Sequence, residues 1–186
     1  MPLQTAGSRK LVHMRDVQVR GYVREDGQME IEAHMTDQKT YSLPNTDRGC
    51  IAAGEPLHDM WIRIAVRVED MEITACEAAI EASPYAICPQ TTPKMARLAG
   101  LKIGKGFLRA ASQAVGGVEG CTHLRELLQP VATVAFQTRY SLLNGHLEGQ
   151  GTKGGGSPAP NLLNTCHSYA QTSPVMMRML AEGGQG

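Results

Sequence analysis

Little in this chain is aromatic. Phe, Trp and Tyr together make up 4% of its 186 residues, with a single Trp. A core built on large rings is therefore excluded, and the ten methionines, which pack into irregular gaps, take over part of that role. Nor is there an excess of charge. Lys plus Arg and Asp plus Glu number 18 each, so the formal net charge is zero. That excludes the cationic surplus that nucleic-acid binding requires, and electrostatic attachment to a membrane. It also leaves little repulsion between copies, so a homo-oligomer is open. No run approaches the roughly 18 apolar residues of a spanning helix. Met1 to Lys10 lacks the apolar stretch of a secretion signal and reads as a disordered lead-in. Both observations point to a cytoplasmic protein. The paired C-x-x-C spacing of a zinc ribbon is missing too. The five cysteines are odd in number. In a reducing compartment they serve metal binding, catalysis or burial rather than disulfides.

What is there reads as one α+β domain over residues 1–186: an antiparallel sheet of about four strands, then three helices. Val12 to Glu25 begins the sheet, with Val17 and Val19 alternating with Gln18 and Arg20, and Gly21 marking a bulge. Asp26-Gly27 is a hairpin signal, because Gly accepts positive φ. In the next strand Met29, Ile31, Ala33 and Met35 face one way; Glu30, Glu32, His34 and Thr36 face the other. Asp37 to Thr40 reads as that strand's end. Tyr41 to Pro56 reads as loop. A third strand carries Met60, Ile62, Ile64, Val66 and Val68 on its apolar face, and Glu72 to Ile80 makes a fourth.

The period then becomes helical. Thr92 to Ala99 is expected as a short helix, Gly104 to Val115 as a second, and a third from Thr122 with Pro130 kinking it. Residues 144–164, rich in Gly, Ser and Pro, read as a flexible loop. Residues 165–180 regain order-forming side chains and read as a docked tail.

Chemistry concentrates in four places: Leu57-His58-Asp59-Met60, Ser83 to Pro89 around Tyr85 and Cys88, Gly116 to Leu124 with Cys121 and His123, and Thr165-Cys166-His167. Cys121 precedes a helix start, where the helix dipole and free N–H groups favour thiolate. Cys88, Cys121, His123, Cys166 and His167 offer the Cys and His ligands that zinc takes tetrahedrally. A His58, Asp59 and His123 set would suit non-haem iron instead. If the centre is catalytic, metal-assisted hydrolysis or lyase chemistry on a small molecule fits, with His58 or Asp59 as general base and Tyr85 as a hydrogen-bond donor. The alternatives are a non-enzymatic carrier or scaffold for a metal or iron–sulfur cluster, and a metal-free cysteine-dependent enzyme. Cys50, Cys76, His13 and His146 read as packing or surface residues, and His34 as part of a solvated face.

Six segments recur in an order that resembles a bacterial family known as domain of unknown function 2889. They are Arg20 to Gly27, Met29 to Ala33, Gly54 to Met60, Pro84 to Cys88, Gly120 to Leu124, and Thr165 to His167. The resemblance runs roughly from Val17 to Met179. It implies a compact single domain, makes the four chemical places family hallmarks, and implies no established activity. In architecture alone the chain is also similar to iron–sulfur cluster assembly scaffolds. That likeness implies that Cys88 and Cys121 are neighbours in space.

Overall fold

The computed structural model describes residues 7–143 and 163–183. The chain divides into two compact units, Met1–Arg139 and Tyr140–Gly186. Most of the loop expected at 144–164, and the first six residues of the lead-in, lie outside the described residues.

The α+β reading holds. In the N-terminal unit β1 (His13–Val23), β2 (Met29–Lys39), β5 (Pro56–Val66) and β6 (Ile73–Ala82) form one antiparallel sheet in the order β1-β2-β5-β6. The period-2 pattern decides which face is covered. Met29, Ile31, Ala33 and Met35 on β2, with Met60, Ile62, Ile64 and Val66 on β5, are all buried to 1% exposure or less. The opposite face carries Glu30, Glu32, His34 and Arg63. Methionines do fill the space that rings do not: Met29, Met35, Met60, Met71 and Met95 are buried, and Phe107 is the single buried aromatic among the described residues.

The β1–β2 turn follows the Asp-Gly signal. The Asp26 carboxylate accepts from the Gln28 N–H at 3.1 Å, and the Gly27 N–H bonds Arg24 O at 3.0 Å. The stretch expected as loop before β5 contains a small hairpin, β3 (Leu43–Asn45) with β4 (Gly49–Ile51). Its strands are too short for alternation to show. The Asn45 side chain nucleates its turn by accepting from the N–H groups of Asp47 and Arg48.

Helical segments follow β6. Cys88–Leu98 is a 3₁₀ helix rather than a short α-helix, with Pro89 in its first turn and Pro93 inside. Pro89 sits where a helix needs no N–H, but Pro93 removes the N–H that an α-ladder would donate to the Pro89 carbonyl. Then come α1 (Phe107–Val115), α2 (Thr122–Glu126) and α3 (Leu128–Leu143). The kink expected at Pro130 is a break three residues earlier. Proline cannot donate to the Glu126 carbonyl and its ring crowds that group, so α2 stops at Glu126 and α3 begins anew.

Gly21 marks no bulge, for β1 pairs with β2 in unbroken register from His13↔Lys39 to Val23↔Met29. It is instead the point of closest approach to α3. A Cβ there would overlap the Thr138 hydroxyl and press on Val134. In the C-terminal unit, a 3₁₀ turn (His167–Tyr169) leads to α4 (Pro174–Gly183), where the Ser173 hydroxyl accepts from the Met176 N–H at 3.1 Å. No helix among the described residues is long and apolar enough to cross a membrane.

The Gly21 contact is testable by denaturant unfolding. Gly21→Ala is expected to cost about 1–3 kcal/mol through overpacking. Placing it in a Thr138→Ala background should recover much of that loss.

Candidate metal centre

At one end of the buried sheet face the apolar stripe gives way to polar groups. The next position on β2 after Met35 is Asp37, and the position on β5 before Met60 is His58; the register sets them directly opposite. Arg15 of β1 faces Asp37 from the other side. Asp37 is 1% exposed, so its carboxylate depends on protein donors. Arg15 supplies two, Nε to Oδ1 and Nη2 to Oδ2, each at 2.7 Å. His58 Nδ1 lies 2.9 Å from Oδ2, and His13 Nε2 3.2 Å from Oδ1. A carboxylate has roughly four acceptor positions, and the bonds from Arg15 and His58 occupy most of them. Arg15 is held in turn by Glu126 of α2, 2.8 Å away.

Burial alone would raise the Asp37 carboxyl. The hydrogen bonds from Arg15 and His58, with the Arg15 charge, outweigh it and hold the group at about 2. The same bond raises the Arg15 guanidinium further. His58 moves down from the ordinary imidazole value, chiefly by burial and then by neighbouring His123, against the pull of Asp37. It is therefore neutral near pH 7. Since an ionised carboxylate only accepts, Nδ1 of His58 carries the proton and Nε2 keeps a free lone pair.

The helical side brings the rest. Cys121 is the N-cap of α2 and His123 lies in its first turn. Gly120 lets this chain pass close over α1, since a Cβ there would overlap the Val115 carbonyl. The His123 ring lies against that of His58, centroids 3.9 Å apart at 40°. Cys121 Sγ is 3.9 Å from His123 Nδ1 and 4.0 Å from Met60 Sδ. Potential ligand atoms of Asp37, His58 and His123 lie within 4.8 Å of one another. Cys121 and His123 also line a cavity of about 430 Å³, together with Cys88, Lys94 and Val118.

The residues singled out from sequence thus separate. His58 and His123 come together, Cys121 lies beside His123, and Cys88 lines the same cavity as Cys121 and His123. Asp59 does not join them. Adjacent strand positions point to opposite faces, and Asp59 bonds His34 at 2.7 Å on the open side of the sheet. Tyr85 stands 51% exposed in the turn before the 3₁₀ helix. Cys166 and His167 are exposed in the C-terminal unit. Cys76 is buried in β6, and burial pushes its thiol up to about 12, which makes it inert. Asp37, Arg15 and His13 were not anticipated as site residues. The signal for Asp37 was present: the stripe Met29, Ile31, Ala33, Met35 continues by parity onto it, which puts a carboxylate on the buried face.

Residues 13–137 match the family described as protein of unknown function, DUF2889, and the chain belongs to it. The match holds the sheet, Asp37, His58, Cys88, Cys121 and His123. No curated protein and no solved structure matches the chain.

Asp37→Asn is expected to destabilise the fold by about 1–3 kcal/mol at pH 7, since the buried site loses its charge-assisted bonds from Arg15 and His58 while Arg15 keeps only the more exposed Glu126 as counterion. The folded carboxyl lies below its ordinary value of 3.8. Its contribution is therefore complete above that value and fades as pH falls through about 2. His58, also lowered, adds acid sensitivity that sets in as pH falls below its ordinary 6.5. Urea unfolding from pH 7 to pH 2 should show the wild-type advantage over the variant shrinking below pH 4.

Proposed function

We propose that this member of a family of unknown function is a metal-binding protein, with zinc as its metal. His58, His123 and Cys121 are ligands, and Cys88 is the fourth. The observation that carries this reading is the Asp37–His58 hydrogen bond. It fixes the imidazole tautomer and leaves the unprotonated nitrogen as a donor beside a second imidazole, that of His123, which Cys121 approaches at 3.9 Å. A carboxylate behind a ligating histidine is the usual outer partner in zinc sites.

Asp37 itself is a poor ligand here. Most of its acceptor positions are taken, and the Arg15 cation beside it opposes a second positive charge. This argues against a two-histidine, one-carboxylate iron centre. Two imidazoles among the ligands likewise suit zinc better than a cluster held by thiolates. Bound zinc supplies a Lewis acid and lowers the pKa of a coordinated water, the chemistry of hydrolases and some lyases. The adjoining cavity of about 430 Å³ is of a size for a small-molecule substrate. A metal-free thiol–imidazole pair is the second reading. It rests on the 3.9 Å approach of Cys121 Sγ to His123 Nδ1.

Elemental analysis of untagged protein, purified without chelator, tests the proposal. About one zinc per chain is expected, as for a four-ligand site. His58→Ala and Cys121→Ser should abolish it, while His34→Ala, on the other sheet face, should not. Asp37→Asn should weaken affinity by about 10–100-fold. Cobalt substitution should give a thiolate-to-metal absorption band that Cys121→Ser reduces. Protein free of metal, with Cys121 alkylating fast near neutral pH, would transfer the reading to thiol chemistry.

A further inference from the structure

Each edge of the four-stranded sheet exposes a row of backbone donors and acceptors, and proteins usually blunt such edges with bulges, prolines, lysines or cover. The β6 edge is blunted. Its pairing with β5 shifts register twice, and its first residue is bonded by the passing chain, Ile73 N–H to Leu101 O and Gly100 N–H to Ile73 O, each 2.8 Å. The β1 edge has no bulge, proline or lysine, and of its charges Arg15 is turned onto Asp37. Its 11 residues run without register shift, and among the described residues it pairs with β2 alone. Apolar side chains stand exposed along it: Met14, Val17, Tyr22 and Val23, with Leu11 and Val12 just before. Val17 and Val23 lie on the helix face, so the helices do not wall off the edge.

The sequence of β1 is complementary to itself. Pair it antiparallel with a second copy about Gln18, the middle of His13–Val23. Asp16 then faces Arg20 of the other copy, and Arg20 faces its Asp16. Met14 meets Tyr22, and Val17 meets Val19. Even-numbered residues stay on the open face, as strand pairing demands. Competing registers on the same faces are worse. Centred on Val17 or Val19, Asp16 meets Gln18 or Tyr22 and both charge pairs are lost; centred on Asp16 or Arg20, like charges stand opposite each other and repel. The symmetric register is also the one that pairs the whole strand. Neither charge is committed elsewhere. Asp16 and Arg20 are exposed and form no ion pair among the described residues, although Arg20 bonds Gln18 at 2.8 Å.

We infer that two copies of this chain associate through β1, in antiparallel register about Gln18, to make one continuous eight-stranded sheet. The contact is isologous, so it closes at the dimer. It does not depend on the metal centre, which lies at the Arg15 end of the same sheet's other face.

The register makes an unusual test available. Sedimentation of the full chain should show a concentration-dependent dimer. D16R places four arginines at the contact and R20D four aspartates. Each alone should weaken dimerisation by about tenfold or more, from two attractive pairs turned repulsive. Mixed in equal amounts, the two variants should dimerise again, because each arginine then faces an aspartate. Far-UV circular dichroism and urea midpoints like those of the wild type keep loss of folding from imitating loss of contact. Monomeric wild type at about 100 µM would overturn the inference. In that case hydrogen exchange names the occupant: protected β1 amides mean another segment of this chain lies along the edge, and unprotected ones leave the edge for a different protein. Variants that dimerise as tightly as wild type, or a mixture that stays monomeric, would overturn it equally.

Discussion

A carboxylate shut away from water has to be answered in full by its neighbours, and Asp37 is. Arg15 grips both its oxygens from β1, His58 donates from β5, and His13 stands 3.2 Å from Oδ1. Three strands are therefore tied at one point by charge as well as by their ladder. Glu126 extends the tie to α2, the helix that brings Cys121 and His123. Remove the carboxylate and two things fail together: the Arg15 cation keeps only Glu126 as its partner, and His58 loses the bond that sets its tautomer. Fold and candidate chemistry share this single anion, so its substitution is expected to appear both in stability and in ligand binding.

The sheet explains why these groups meet. Alternation along β2 and β5 places apolar side chains inward for four positions and then a charged or titratable one. The covered face thus has an apolar length and a polar end. Helix α2 is short because Pro130 forces a break after Glu126, and its first turn lies over that polar end. A longer helix would have needed the very N–H that proline lacks. The glycine before Cys121 permits the close passage over α1.

Much of this was readable from residues alone. The Met29 to Met35 and Met60 to Val66 stripes predicted the strands and their buried face, and the Asp-Gly turn predicted the first hairpin. Period 2 also held the means to sort His58 from Asp59, since only His58 shares parity with Met60. Carried two residues past Met35, the same parity reaches Asp37, and carried two before Val17 it reaches Arg15. The register of β2 against β5, however, depends on the span of chain between them, which hides a hairpin of three-residue strands. Nothing in sequence set position 37 opposite position 58. Nor could spacing reveal that His123 would lie against His58, because that rests on where a helix lands on a sheet.

The single tryptophan has a consequence of its own. Trp61 stacks on His34 with ring centroids 3.8 Å apart and planes within 6°, and His34 is held by Asp59. This pair bridges the two central strands on the side of the sheet away from the proposed ligands. The chain thereby carries one indole fluorophore, seated on the β2–β5 ladder and pressed against an imidazole. Its emission reports whether those strands are together, and it does so without a contribution from any other indole. Changes at the proposed metal centre can thus be followed optically from the reverse side of the sheet, with no label introduced into the site.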